Sequence, residues 1–188
     1  MIPFFTTMDD TLILEKFANE NTRDEAFKLL LEKYQQKIYW HVRRFVVDHD
    51  DANDLVQDIF IKVWKNLDKF REDAQLYTWI YRIASNESIT FLNKKKKHRN
   101  ISIDDEQSGF LAEALTESPY FNGDKAQLKL QQALLTLPDK QRLVFNMKYF
   151  EDLKYEEISE ILGTSVGALK ASYHLAVKKI EKHFSETD

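Results

Sequence analysis

The chain of 188 residues has no cysteine, only four glycines and three prolines, and no long apolar run. The missing cysteine excludes disulfides and thiolate metal sites and fits a reducing compartment. So few turn residues argue against a sheet-rich fold, so an all-α protein is expected. No apolar run approaches the roughly 18 residues of a membrane span, so no membrane insertion is expected. The start, "MIPFFTTMDDTLILEKFANEN", lacks a cationic lead and soon reaches Asp9 and Asp10, which predicts no secretory leader and a cytoplasmic location.

Catalytic chemistry is missing as well. The five histidines (41, 49, 98, 174 and 183) show no ligand spacing, and there is no glycine-rich phosphate loop. Asp48, Asp50, Asp51 and Asp54 lack the glycine and the distal glutamate of a calcium loop and are read as a helix start. No catalytic residue, metal or cofactor is therefore expected, and the chain is read as a non-enzyme.

What is present is periodic. "DEAFKLLLEKYQQKIYWHVRRFV" sets Phe27, Leu30, Leu31, Tyr34, Ile38, Val42 and Phe45 at helical spacing. "DHDDANDLVQDIFIKVWKNL" opens on carboxylates suited to a helix N-terminus and carries a second apolar face. Asp54, Gln57 and Asp58 share its polar side, because residues three and four apart are helix neighbours. After the polar stretch "DKFREDAQ", "LYTWIYRIASNESITFLNKKKK" predicts a third long helix ending in cations. Residues 101–123 are poor in apolar residues and carry turn residues, and read as a flexible linker. Beyond it, "DKAQLKLQQALLTL" and "PDKQRLVFNMKYF" predict two helices, with Pro138 suited to the first turn of the second. In "LKYEEISEILGTSVGALKASYHLAVKKIEKHF" a short helix breaks at Gly163 and Thr164. Ser165 suits an N-cap, and a longer helix follows. This pattern spells a helix-turn-helix. Two small helical domains are expected, over 1–98 and 125–188, joined by a linker over 99–124.

The net charge of −4 hides a segregation of sign. From Arg82 to Asn100 there are six Lys or Arg against one carboxylate, whereas Asn100 to Asp124 holds six carboxylates and no Lys or Arg. Four lysines (170, 178, 179 and 182) then stand against Glu181. Separated patches of this kind speak of anionic partners despite the acidic total. Aromatic residues (Phe70, Tyr77, Trp79, Tyr81 and Phe91) lie before or within reach of the Lys94–Arg99 block. Rings beside a cationic track suit single-stranded nucleic acid, while most of these rings, Trp79 and Phe91 among them, are read as core, and Phe70, in a polar loop, fits a core less well.

Three stretches resemble extracytoplasmic-function sigma factors of bacterial RNA polymerase. "DANDLVQDIFIKVW" is similar to their second conserved region, and "KFREDAQLYTWIYRIASN" to the neighbouring promoter-reading region. "LPDKQRLVFNMKYFEDLKYEEISEILGTSVGALKASYHLAVKKI" is similar to their fourth region. The resemblance implies a transcription initiation factor whose partners are core RNA polymerase (the β′ clamp helices and β), promoter DNA and an anti-sigma factor. It assigns Asp54, Gln57 and Asp58 to the β′ clamp, and Phe70 and Asn86 to a pocket for a flipped base of the minus-ten element. The loop Lys69–Gln75 would select that base, with Lys94 and Lys95 beside the melted strand. The acidic linker would thread a polymerase channel built to hold phosphates. The helix from Val166 to Lys179 would enter the major groove at the minus-thirty-five element, capped by Ser165, with Lys170 and His174 at bases and Lys178 at a phosphate. Ser172, Leu175 and Val177 stand where the family commonly has cations. The alternative is a helix-turn-helix regulator with a helical sensor domain. A metal-dependent nucleic-acid enzyme built on the aspartate cluster is a third.

Overall fold

Helix follows helix wherever the apolar spacing demands it. The structure, a computed structural model, describes residues 10–70, 74–98, 109–117 and 125–186. Among these there are nine α-helices and no strand: α1 (Asp10–Ala18), α2 (Arg23–Val46), α3 (His49–Asn66), α4 (Leu76–His98), α5 (Gly109–Glu117), α6 (Lys125–Leu135), α7 (Asp139–Tyr149), α8 (Tyr155–Leu162) and α9 (Val166–Glu186).

The first four helices pack as one unit, with α2 at its centre against α1, α3 and α4. Leu30, Ile38, Val42, Ala52, Ile59, Val63, Ile80 and Leu92 are fully buried in it. Each Leu or Ile hidden this way contributes roughly 1.5–3 kcal/mol. The turn from α2 to α3 is tight. Val47 holds φ 69 and ψ −42, and Asp48 N–H reaches Val46 O at 2.9 Å, a γ-turn of the strained hand. It delivers Asp48 to the α3 N-cap, where its carboxylate accepts from Asp51 N–H at 2.9 Å. The aspartate cluster is thus a helix start, and no group of residues suited to hold a metal ion occurs among the described residues.

Helices α6 to α9 form the second unit. Pro138 sits at the N-cap of α7, one residue ahead of its first helical position, and its carbonyl accepts from Arg142 N–H at 3.0 Å. Gly163 ends α8 in the left-handed region at φ 63. Ser165 Oγ accepts from Ala168 N–H at 3.3 Å, capping α9.

Two helices went unforeseen. α1 closes the first unit with Ile13 and Phe17, and its Asp10 accepts from Tyr34 O–H at 2.7 Å. Inside the stretch read as linker, α5 buries Leu111 and Leu115 completely. Residues 71–73 of the promoter-loop reading, and 99–108 and 118–124 of the acidic linker reading, lie outside the described residues.

The two units touch: α8 lies on α4, and α7 lies on α2. Leu143, Val144, Met147, Ile158 and Leu169 join one apolar cluster with residues of the first unit. Polar groups are buried there too. His41 Nδ1 lies 2.9 Å from Glu151 Oε1, with the side chains 0% and 8% exposed. Lys96 Nζ donates to Asp139 Oδ2 at 2.9 Å. Arg142, 1% exposed, donates to Asp139 Oδ1 at 3.1 Å and lays its guanidinium 4.7 Å from the Phe45 ring centre. Arg142 Nε and Nη1, Asn146 Oδ1 and Glu151 Oε2 are buried without a hydrogen-bond partner. Each orphaned group costs about 1–3 kcal/mol, so this contact is far from an optimised permanent interface.

Candidate functional site

Three polar surfaces emerge, one on each of three helices. On α3, Asp54, Gln57 and Asp58 are all exposed, while Leu55, Val56, Ile59 and Phe60 on the other side are buried. Ile61 extends the same exposed row at 51% exposure. Sequence reading passed over Ile61, although its position three residues after Asp58 and four after Gln57 puts it on that row. An exposed apolar side chain beside carboxylates and an amide is a mixture suited to a protein interface.

On α4, Arg82, Asn86, Thr90 and Lys94 are exposed at steps of four, so they form one stripe along the helix. Asn86 stands at a cavity of about 460 Å³ whose other walls include Ile89, Lys140, Val144, Leu169 and Ser172. The second unit therefore supplies most of its walls. Phe70 is half-buried, its ring 5.4 Å from that of Trp79, and it does not line this cavity. Trp79 and Phe91 pack against the core, as expected, and so does Phe70, which was expected to fit it less well.

The lysine block is divided in its duties. Lys95 pairs with Asp51, Lys96 is buried against Asp139, and Lys94 and Lys97 are exposed. At the start of α4, Tyr77 is half-buried with its hydroxyl unpartnered. Burial, then the nearby carboxylates of Glu157, Glu151 and Glu160, push that hydroxyl well above the ordinary tyrosine range. Helix α8, which carries Glu157 and Glu160, lies against α4. Arg82 donates to the Glu160 carbonyl at 2.7 Å.

On α9, Ser165, Lys170, His174 and Lys178 are exposed, the last three at steps of four. Leu169, Ala176 and Ile180 anchor the opposite side. Lys170 Nζ stands 5.7 Å from the Tyr155 ring centre, which restrains the head of its long side chain. Behind α9, Phe145 stacks between Tyr149 and Tyr173, with ring centres 5.1 and 5.5 Å away. These rings line an apolar groove between α6, α7 and α9 that the sequence reading did not anticipate.

Comparison with known proteins gives these surfaces their setting. Residues 30–98 match the family "Sigma-70 region 2", and residues 127–180 match "Sigma-70, region 4". The RNA polymerase sigma-H factor of Pseudomonas aeruginosa is 32% identical over 184 residues, covering 94% of each chain. The ECF RNA polymerase sigma factor SigW of Bacillus subtilis is 32% identical over 173 residues, covering 86% of this chain and 90% of that one. The fold is shared with the sigma factor RpoE of Bartonella quintana, solved with the anti-sigma factor NepR. Its TM-score is 0.67 at 22% identity, over 85% of this chain and 96% of that one. CnrH, solved with the cytosolic domain of CnrY, gives a TM-score of 0.68 at 20% identity over 96% and 99%. This chain belongs to the ECF sigma factors, the initiation factors that direct RNA polymerase to promoters.

Proposed function

We propose that the exposed row Asp54, Gln57, Asp58 and Ile61 on α3 docks on the β′ clamp helices of core RNA polymerase. The observation that carries this reading is the row itself: two carboxylates, an amide and a half-exposed isoleucine on a helix anchored by its buried side. The apolar groove beside Tyr149 and Tyr173 supports a contact with β in the second unit. Asn86, Lys94 and Phe70 serve the melted minus-ten strand, with Lys95 released from Asp51 when phosphate is near. Lys170 and His174 read the minus-thirty-five duplex, and Lys178 holds a phosphate.

The chain works as residues 1–98 and 125–188 joined through 99–124. It acts in the cytoplasm and performs no catalysis of its own. No helix among the described residues is long and apolar enough to cross a membrane. An anti-sigma domain is a further partner. The support for it is the fold relative RpoE, solved with the anti-sigma factor NepR.

The test is core binding by Asp54→Lys/Asp58→Lys. Both positions are exposed, so the fold should lose less than about 0.5 kcal/mol. Loss of the core complex in a pull-down with purified polymerase is the expected result. Parental binding by the double variant overturns the clamp assignment.

A further inference from the structure

Four large apolar side chains are exposed among the described residues: Leu12, Ile61, Tyr149 and Leu175. Ile61 belongs to the α3 row, and Tyr149 lines the groove behind α9. Leu175, 49% exposed, stands on α9 beside the exposed Lys170, His174 and Lys178. The turn that carries it is fixed from behind. Tyr173, two residues earlier, stacks on Phe145 with ring centres 5.5 Å apart, and Ala176, the next residue, is fully buried. Ala171, one turn before Leu175 and on the same side, is exposed and too short to hold a partner away.

The cations of the adjoining row call for a polyanion, so a partner seated on this face brings phosphates with it. In the major groove of such a duplex, an isobutyl group has one favourable contact. It neither donates nor accepts a hydrogen bond, and the apolar group on the base edges there is the thymine C5 methyl. Over a G·C pair it would shield guanine N7 and O6 or the cytosine amine from water and return no hydrogen bond.

We propose that Leu175 is a specificity residue: it packs on the C5 methyl of a thymine in the minus-thirty-five element and rejects a G·C pair at that position. The proposal rests on the reading of α9 as the helix in the major groove and adds a base identity to it. Lys170 and His174 meet hydrogen-bonding groups, whereas Leu175 meets a methyl, so the two rows specify different bases. Replacing that thymine by uracil removes the methyl alone and should lower affinity about fourfold. A G·C pair there should lower it further, by about tenfold.

The experiment uses holoenzyme formed from the full chain and purified core polymerase. Its probes are duplexes enriched by the parent from a random-sequence library. Each is remade with deoxyuridine in place of one thymine at a time upstream of the melted region. With the parent, one position loses about fourfold in affinity, and with Leu175→Ala that loss disappears. Lys170→Ala keeps the sensitivity to uracil. A fresh selection with Leu175→Arg replaces thymine by guanine at the same position, because the arginine fork matches guanine O6 and N7.

If uracil has no effect on the parent, or the same effect on Leu175→Ala, the proposal is overturned and Leu175 is left to a protein contact. A Leu175→Arg selection that retains thymine overturns it as well. Lys170→Ala and Lys178→Ala separate this proposal from the reading it rests on. If either lowers duplex affinity while uracil changes nothing, the methyl contact alone falls. If neither does, α9 is not on the duplex and both fall.

Discussion

Phe70 has a packing contact beside the base-stacking role proposed for it. The Phe70 ring already leans on Trp79, and a base arriving on its free face would extend that stack. Phe70→Ala should weaken open-complex formation by roughly 1–3 kcal/mol, the cost of one base–aromatic stack. Permanganate footprinting of the melted region against a thermal melt of the free protein divides the two roles. A lower melting temperature with normal promoter opening would make Phe70 a packing residue only. Tyrosines carry a different signal. Tyr34, Tyr77 and Tyr81 are all held neutral by burial first, with Asp10 adding to the effect at Tyr34 and glutamates at the other two. Their native pKa values lie above the unfolded value of about 10. The resulting stability is therefore complete below about pH 10 and is lost as pH rises beyond it, where the unfolded chain gives up protons that the native chain keeps. The melting temperature should fall from pH 10 upward, and Tyr34→Phe should flatten the slope. An unchanged slope in Tyr34→Phe would assign the alkaline loss to other groups.

Helices were legible in the sequence where an apolar period ran for three turns or more. Helices α2, α3, α4 and α9 appear within a few residues of their expected ends, because capping aspartate, terminal lysine and Gly163 mark them chemically. α1 and α5 escaped because each has only nine residues and two wholly or nearly buried anchors, too few to establish a period. The polar α3 row was legible from spacing alone. The closure of α8 over α4 was not, since neither helix announces its partner: no spacing in the sequence points from Arg82 to the Glu160 carbonyl that accepts from it. The α8–α9 turn makes its own prediction. Gly163 has φ +63 and open space where a Cβ would stand, so Gly163→Ala should cost about 1 kcal/mol from backbone conformation alone. Chemical denaturation reads this directly, and a loss above about 3 kcal/mol would mean that the turn is also tightly packed. Along α9, Lys170→Ala should lower holoenzyme affinity most on preferred minus-thirty-five sequences, whereas Lys178→Ala should weaken all sequences alike and reduce the salt slope by about one unit. Titrations over a small promoter set at several salt concentrations decide it. A uniform loss with Lys170→Ala would make that lysine a phosphate contact.

At the scale of the molecule, two units that share apolar surface also carry orphaned polar atoms where they meet. Neither a single rigid body nor two independent domains is built in this way. The covalent connection through 99–124 changes the arithmetic of such a contact. Tethered partners meet at an effective concentration on the order of millimolar, so an association too weak to survive between separate molecules is nearly saturated within one chain. Severing the chain between His98 and Lys125 should therefore dilute one unit with respect to the other by about a thousandfold at micromolar protein, with every contacting side chain unchanged. A site-specific protease cut inserted there, followed by size-exclusion chromatography at micromolar concentration before and after cleavage, measures this directly. Co-elution of the two fragments as one species would show that chain connectivity contributes nothing to holding the units together.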